Sequence, residues 1–165
     1  MHIRPADVSD AAAIMAIYNP VVATSTATFD LTPRSLADQE AWLEDRSGAR
    51  IVLVAVHRDD DDEVVAGFAA LAPYRDRAAY STTVEDSVYI AEAFQGQGVG
   101  RQLLAALVDT ARAHGFHAMM ARIVSDHAAS IALHTACGFE IIGHEREVGR
   151  KFGRRLDVTL MERLL

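Results

Sequence analysis

Apolar positions along this chain keep two different periods. Leu104, Leu107, Val108 and Ala111 recur at i, i+3, i+4 and i+7, one face of a helix, and Gly115 ends it. IVLVAV, Ile51 to Val56, is instead a β-branched run that reads as a buried strand. VVAGFAALAPY reads as its returning partner across an acidic hairpin turn at Asp59 to Glu63, and Gly67 inside it marks a bulge or a close backbone approach. HIRPAD predicts a short first strand. Asp7 or Ser9 is placed to cap a helix that runs through Ile14 and Ile17 and that Pro20 stops. After the irregular TSTATFDLTP, Pro33 and Ser35 open a second helix with Leu36, Trp42 and Leu43 as its apolar side. TVEDSVYIA and HAMMARIV predict strands before and after the long helix. DHAASIALHTACG predicts a shorter helix begun by Asp126 and stopped by Gly138. FEIIGHEREV and LDVTLMERLL predict two last strands joined by a polar, basic loop, GRKFGRR.

The order β-α-α-β-β-β-α-β-α-β-β predicts an α/β (α+β) fold, a mainly antiparallel mixed sheet with helices on its faces. The strand, glycine loop, helix and strand in the middle form its one parallel crossover. The 165 residues fit a single domain, 1–165, with one core. Lys plus Arg is 16 and Asp plus Glu is 23, a net charge of −7 that argues against general nucleic-acid binding. No apolar run reaches membrane-spanning length, MHIRPADVSD lacks the apolar core of a signal peptide, and the lone Cys137 has no internal disulfide partner. Together these place the protein in the cytoplasm. His114 and His117 straddle Gly115 and share no helix face, so no metal site is expected. Cys137, Met119 and Met120 read as packing residues.

EAFQGQGVGRQLL holds the candidate chemistry. A strand ends at Ile90 or Ala91, Gly96, Gly98 and Gly100 follow in alternation, and a helix begins near Gly98. Free N–H groups at a helix start suit a phosphate, and glycine removes the side chains that would hold one off. Arg101 in the first turn opposes the helix dipole, and pairing with an anion would account for it. The other reading is a tight turn and nothing more. A Walker loop would end Gly-Lys-Ser or Gly-Lys-Thr where this one ends Gly100-Arg101-Gln102. A Rossmann fingerprint needs a G-x-G-x-x-G spacing that is absent.

Gln95-Gly96-Gln97-Gly98-Val99-Gly100 resembles the Q/R-x-x-G-x-G/A loop of the GNAT acyltransferase superfamily. IRPAD, AIYNPVV, TSTATFDLTP, TVEDSVYI, ASIALHTACGFE and VGRKFGRRLDV extend the resemblance along nearly the whole chain, to the phosphinothricin and methionine sulfoximine acetyltransferase branch. The resemblance implies a GNAT-type sheet of seven strands, with acetyl-CoA as cosubstrate. It implies that the amides of Gln95 to Gly100, with Arg101, hold the pyrophosphate of acetyl-CoA, and that Val88, Tyr89 and Ile90 offer backbone groups to the pantetheine arm and the thioester carbonyl. Glu85 stands where the branch has its proposed general base, which would take a proton from the acceptor amine. Asp86 points to the opposite face of a regular strand and is no equivalent substitute. His134, in Leu133-His134-Thr135-Ala136-Cys137-Gly138-Phe139, takes the place of a tyrosine that protonates the departing thiolate in much of the superfamily, and it could serve as acid, as base or as a cofactor contact. His127 replaces the branch's cofactor-contacting Asn, and Arg155 stands where relatives often carry Trp.

A small amino-acid-like substrate needs a cation for its carboxylate, and Arg75 and Arg77 lie shortly before Glu85. By resemblance, Arg77 and Phe29 are the first choices for the substrate site and Arg75 and Tyr80 the second. Lys151 and Phe152 are candidates to reach the pocket from a partner subunit, since relatives are commonly homodimers. The activity implied is acetylation of the α-amino group of phosphinothricin, methionine sulfoximine or methionine sulfone. A CoA-binding sensor without turnover and an acetyltransferase for another amine, such as a protein N-terminus or a polyamine, stand as alternatives.

Overall fold

The computed structural model describes residues 1–46, 50–59 and 62–165. Its centre is a seven-stranded sheet. In chain order the strands are β1 (His2–Pro5), β2 (Val52–Asp59), β3 (Asp62–Pro73), β4 (Thr83–Ile90), β5 (Ala118–Val124), β6 (Glu140–Lys151) and β7 (Arg154–Leu164). Across the sheet they lie in the order β1-β2-β3-β4-β5-β7-β6. Every neighbouring pair is antiparallel except β4 and β5, which are parallel. The helices are α1 (Ala11–Thr24), α2 (Leu36–Glu44), α3 (Val99–Ala113) and α4 (Ala128–Ala136). The expected element order and sheet type are thus present.

Two apolar layers sandwich the sheet. On one face α3 buries Val99, Leu103, Leu104, Leu107, Val108 and Ala111 against Leu53, Val84, Met119, Ala121 and Ile123. On the other, Ile14, Ile17, Tyr18 and Val22 of α1 and Leu43 of α2 meet Val52, Val54, Val56 and Phe68. Alternate residues of each strand therefore feed different layers, as the two-residue period of a strand requires. Between β2 and β3 the alternation slips, where Val56 pairs with Val65 but Ala55 pairs with Gly67. This bulge leaves Ala66 free to accept from the amide of Ala91 at 2.9 Å. A Cβ on Gly67 would stand 2.8 Å from the carbonyl oxygen of Tyr89, so the glycine marks both a bulge and a close approach.

Five local expectations need correction. Pro20 does not stop α1, which continues to Thr24. The chain keeps the helix because Val22, beyond the proline, is fully buried in the core with Ile17 and Tyr18, and that packing outweighs one lost backbone hydrogen bond. Asp7 caps a 3-10 turn over Val8–Asp10 and not the helix itself. Ser35 does cap α2, in a reciprocal capping box with Asp38, yet Leu36 is exposed and Gln39 is buried beside Leu43. Asp126 leaves the start of α4 without a side-chain cap and pairs with Arg154 at 3.0 Å. Finally, most of GRKFGRR is strand. Lys151 pairs with Arg154, and only Phe152 and Gly153, both with positive φ, make the turn. Of the acidic turn expected at Asp59 to Glu63, positions 60 and 61 lie outside the described residues, and Asp59 and Asp62 are paired across it.

Candidate active site

The site begins where the one parallel pair comes apart. β4 and β5 are paired only from Thr83↔Ala118 to Glu85↔Met120. Beyond that point each strand follows its other neighbour. β4 stays with β3 as far as Ile90↔Gly67, and β5 stays with β7 as far as Val124↔Val158. Tyr89 anchors the far end of β4, its ring 5.2 Å from that of Phe68 and 4.9 Å from that of Tyr18. A cleft of about 1330 Å³ runs along the parted strands, walled by both of them, α1, the glycine loop and the starts of α3 and α4.

The loop builds one end of this cleft. Gly96 and Gly98 have φ of 72° and 81°, a left-handed conformation that other residues adopt only with strain, and nothing crowds either position. Gly98 is the N-cap of α3 and supplies no capping side chain. The first helical bond runs from the Gln102 amide to the Gly98 carbonyl, so the amides of Val99, Gly100 and Arg101 lack an intrahelical acceptor. Gly100 serves differently: a Cβ there would lie 3.2 Å from a Leu133 methyl, so it lets α3 and α4 approach. The side chains of Gln95 and Gln97 donate back to the carbonyls of Ile90 (3.2 Å) and Ala93 (2.8 Å) and brace the loop. Arg101 and His127, the residue just before α4, also line the cleft. Bare amides, a helix dipole and an arginine fit a bound pyrophosphate.

Neighbouring carboxylates on β4 face opposite ways. Asp86 shares the α3 side with Val84 and is paired with His134, whose Nε2 lies 3.0 Å from Asp86 Oδ2. The other ring nitrogen of His134, Nδ1, lies 2.8 Å from the Ser130 carbonyl. Glu85 lies half-buried on the other side, the face of β4 that carries Tyr89. Burial raises its pKa above the ordinary carboxylate value. Arg122 and Arg75 pull it down and Asp86 and Glu145 push it up, and the upward influences win. Arg122 is itself bound to Glu145 at 2.5 Å.

Around Glu85 the structure gathers some of the expected substrate residues. Arg75 acts on Glu85, and its guanidinium lies 4.9 Å from the ring of Tyr74 and 5.6 Å from that of Tyr80. Arg77 stands exposed at the head of a 3-10 turn and is not among the charges acting on Glu85. Phe29 sits on the Gly149 backbone, where a Cβ would reach within 2.4 Å of its ring, and the ring is 43% exposed. Its loop is tied down by the buried Lys151, which donates to the Thr28 carbonyl at 2.9 Å within the same chain, while Phe152 is exposed at the hairpin tip. Tyr18 reinforces the loop through Thr28 (2.8 Å) and Asp30 (2.7 Å).

Sequence reasoning missed Arg122 and the partnership of Asp86 with His134. Arg122 had a readable signal: it is the one charge in the apolar run MMARIV, two residues past the partner of Glu85. The Asp86–His134 pair had none, because 48 residues separate them.

The chain matches the model of the acetyltransferase (GNAT) domain over residues 3–160. It belongs to the GNAT acetyltransferase family. Members of that family use acetyl-CoA as acetyl donor. This acetyltransferase is 45% identical over 161 residues to the L-methionine sulfoximine/L-methionine sulfone acetyltransferase of Pseudomonas aeruginosa, covering 97% of this chain and 92% of the relative. Its fold superimposes on a phosphinothricin acetyltransferase from Sinorhizobium meliloti in complex with acetyl-CoA, with a TM-score of 0.92, 38% identity, and 99% and 88% of the two chains covered. It is equally like a ribosomal-protein-alanine N-acetyltransferase from Brucella melitensis, with a TM-score of 0.94, 40% identity and both chains covered in full.

Proposed function

We propose that this acetyltransferase moves the acetyl group of acetyl-CoA to the α-amino group of a small amino-acid-like substrate of the methionine sulfoximine, methionine sulfone or phosphinothricin type. The observation that carries the reading is the placing of Glu85. It is a half-buried carboxylate with a raised pKa, at the point where β4 and β5 part, beside two arginines able to take a carboxylate. The amides of Gln95 to Gly100, with Arg101, hold the pyrophosphate, and His127 and the backbone of Val88, Tyr89 and Ile90 hold the arm. Acetyl-CoA supplies the activated acetyl group as a thioester. Glu85 takes a proton from the acceptor ammonium, directly or through water, and leaves the nitrogen a free pair. Arg75 and Arg122 orient the acceptor by its carboxylate, with Phe29, Arg77 and Tyr80 as outer contacts. His134 serves from the opposite wall. Transfer is direct, with no acyl-enzyme.

The residues 1–165 act as one catalytic unit, a homodimer in the cytoplasm. Edge strand β6 supports the dimer, since it carries exposed Ile141, Ile142 and Val148, with Phe152 at its hairpin. Supporting the location, Cys137 is a free, buried thiol, and no helix among the described residues is long and apolar enough to cross a membrane.

The likeness to the Brucella melitensis structure favours a second acceptor, a protein N-terminus. Purified protein with acetyl-CoA is offered methionine sulfone, methionine sulfoximine, phosphinothricin and a peptide beginning with alanine, and thiol release is followed. Turnover of the amino acids with none of the peptide supports the first reading. Turnover of the peptide alone overturns it.

A further inference from the structure

The loop between α1 and α2 forms part of the cleft wall and is held from two sides. Ser25 and Ala27 of this loop line the cleft. Just beyond them the Thr28 hydroxyl lies 2.8 Å from that of Tyr18, whose ring packs on Tyr89, itself a cleft residue. The second hold comes from edge strand β6. Glu145 pairs with Val158 and Gly149 with Leu156, so β6 advances four residues there while β7 advances two. Glu147, with φ of 53° and its amide bound to Asp157 Oδ1 at 2.7 Å, sits in this bulge. A bulge re-aims the strand beyond it. The residues re-aimed include Gly149 and Lys151, two apart and so on one face. Phe29 rests on Gly149, where a Cβ would stand 2.4 Å from two of its ring carbons. Lys151 donates to the Thr28 carbonyl at 2.9 Å.

A buried ammonium is a costly way to make one hydrogen bond. Lys151 is 4% exposed and has three N–H donors. Its surroundings give it the Thr28 carbonyl and the Phe152 ring, 5.3 Å away, and no salt bridge among the described residues. Burial pushes its pKa below the ordinary lysine value, and Asp30 draws it part of the way back. An unbranched apolar side chain would fill the same space without losing the hydration of a charge, so packing alone does not account for a lysine here. What the lysine adds is a fixed position for the backbone just before Phe29.

We propose that Gly149 and Lys151 are positioning residues for the acceptor: Lys151 holds the α1–α2 loop by its backbone, Gly149 seats the Phe29 ring, and β6 of the same chain thereby sets the wall that the acceptor's side chain meets. This deepens the acetyl-transfer reading above, in which Phe29 is an outer contact of the acceptor, and rests on it. Both residues act through the loop. One holds its backbone and the other its ring, so each can be removed without the other. The proposed cradle for acetyl-CoA is built by the glycine loop and α3, which belong to other elements. Loosening β6's hold should therefore weaken the acceptor and spare acetyl-CoA.

The test is thiol release with methionine sulfone as acceptor, for Lys151→Met, Gly149→Ala, Phe29→Ala and the double variant of Phe29→Ala with Gly149→Ala. Lys151→Met and Gly149→Ala should each raise KM for methionine sulfone by about 5- to 30-fold, the worth of part of an apolar ring contact, with KM for acetyl-CoA within about twofold. In the Phe29→Ala background Gly149→Ala should add less than about twofold, since a seat matters only while the ring is there. A purely structural role would lower kcat and the melting temperature and leave both KM values in place; that result overturns the inference, and so does an undiminished effect of Gly149→Ala without the ring. Fluorine NMR of the protein with its six phenylalanines fluorinated reads the positioning without turnover, Phe29 being assigned by its loss in Phe29→Leu. The Phe29 resonance should move in both Lys151→Met and Gly149→Ala, and an unmoved resonance overturns the inference. If Lys151→Met does not fold, Gly149→Ala decides, because its methyl meets only an exposed, movable ring. Absence of thiol release with every amine would sink the acetyl-transfer reading and leave the NMR to decide whether β6 holds the ring.

Discussion

At the scale of single residues, two adjacent carboxylates on one strand have unlike environments. Glu85 is half-buried among mixed charges, and the Asp86 side chain is buried against His134. Glu85→Gln should lower kcat by about 10² to 10⁴, the usual contribution of a general base. It should also remove the acidic limb of the pH profile. That limb lies above the ordinary carboxylate range, because the raised pKa of Glu85 means that its basic form appears only as pH climbs through the raised value. Steady-state rates at saturating acetyl-CoA across pH check this. The same shift affects stability. A carboxyl whose folded pKa exceeds its unfolded pKa loses stability as pH rises between the two, so at neutral pH Glu85→Gln should melt higher than wild type. His134 works in the opposite sense to an ordinary carboxylate. Its folded pKa is raised, so its stabilisation is complete below about pH 6.5 and fades as pH rises through the folded value. Melting scans from pH 6 upward should show a decline that His134→Gln lacks. Arg122→Ala should raise KM for the amino-acid acceptor by roughly 10- to 100-fold, the worth of a charge-assisted hydrogen bond, with KM for acetyl-CoA little changed. An equal rise in both KM values would remove Arg122 from the acceptor site.

At the scale of elements, the glycine loop and α3 act as one device. The left-handed Gly98 turns the chain so that three amides face outward, and the apolar face of α3 clamps that turn to the sheet. Gly98→Ala should cost about 1–2 kcal/mol for the left-handed backbone and raise KM for acetyl-CoA, since relaxing the strain moves the amides. Gly100→Ala should be milder, because its new methyl meets only the movable tip of Leu133. Comparing the two variants by calorimetric CoA binding separates strain from crowding. Leu104 is fully buried in the same face. Leu104→Ala should destabilise by about 2–5 kcal/mol. For a chain of this size that corresponds to a melting temperature lower by roughly 5–20 °C.

At the scale of the whole molecule, the parting of β4 from β5 comes from the rest of the sheet. Each strand is held by its outer neighbour, β3 or β7, and α3 joins them as the crossover. Their separation opens the cleft that Asp86, Arg122 and His134 line. Edge strand β6, with Ile141, Ile142 and Val148 exposed, is where a second copy would dock. Sedimentation should show a dimer that Ile142→Asp shifts toward monomer without lowering the melting temperature, since Ile142 lies outside the described core. A monomeric wild-type protein would remove the partner from the proposal.

Local patterns in the sequence were enough for what depends on short spacings. The face Leu104, Leu107, Val108, Ala111 marks α3, the glycines at 96 and 98 mark a turn at a helix start, and the β-branched run at 51–56 marks a core strand, because each property is decided by residues a few positions apart. Their order already specified a mixed sheet with one parallel crossover. The sequence pattern failed where local propensity met distant packing: Pro20 stays inside α1, Leu36 faces solvent, and the basic loop is drawn into the β6–β7 hairpin. What joins distant segments was decided by tertiary structure alone. Asp86 meets His134 across 48 residues, and Lys151 reaches the Thr28 carbonyl across 123. Such pairs are set by how strands and helices stack, and the cleft itself exists only because two strands paired at Glu85 are pulled apart by their other neighbours.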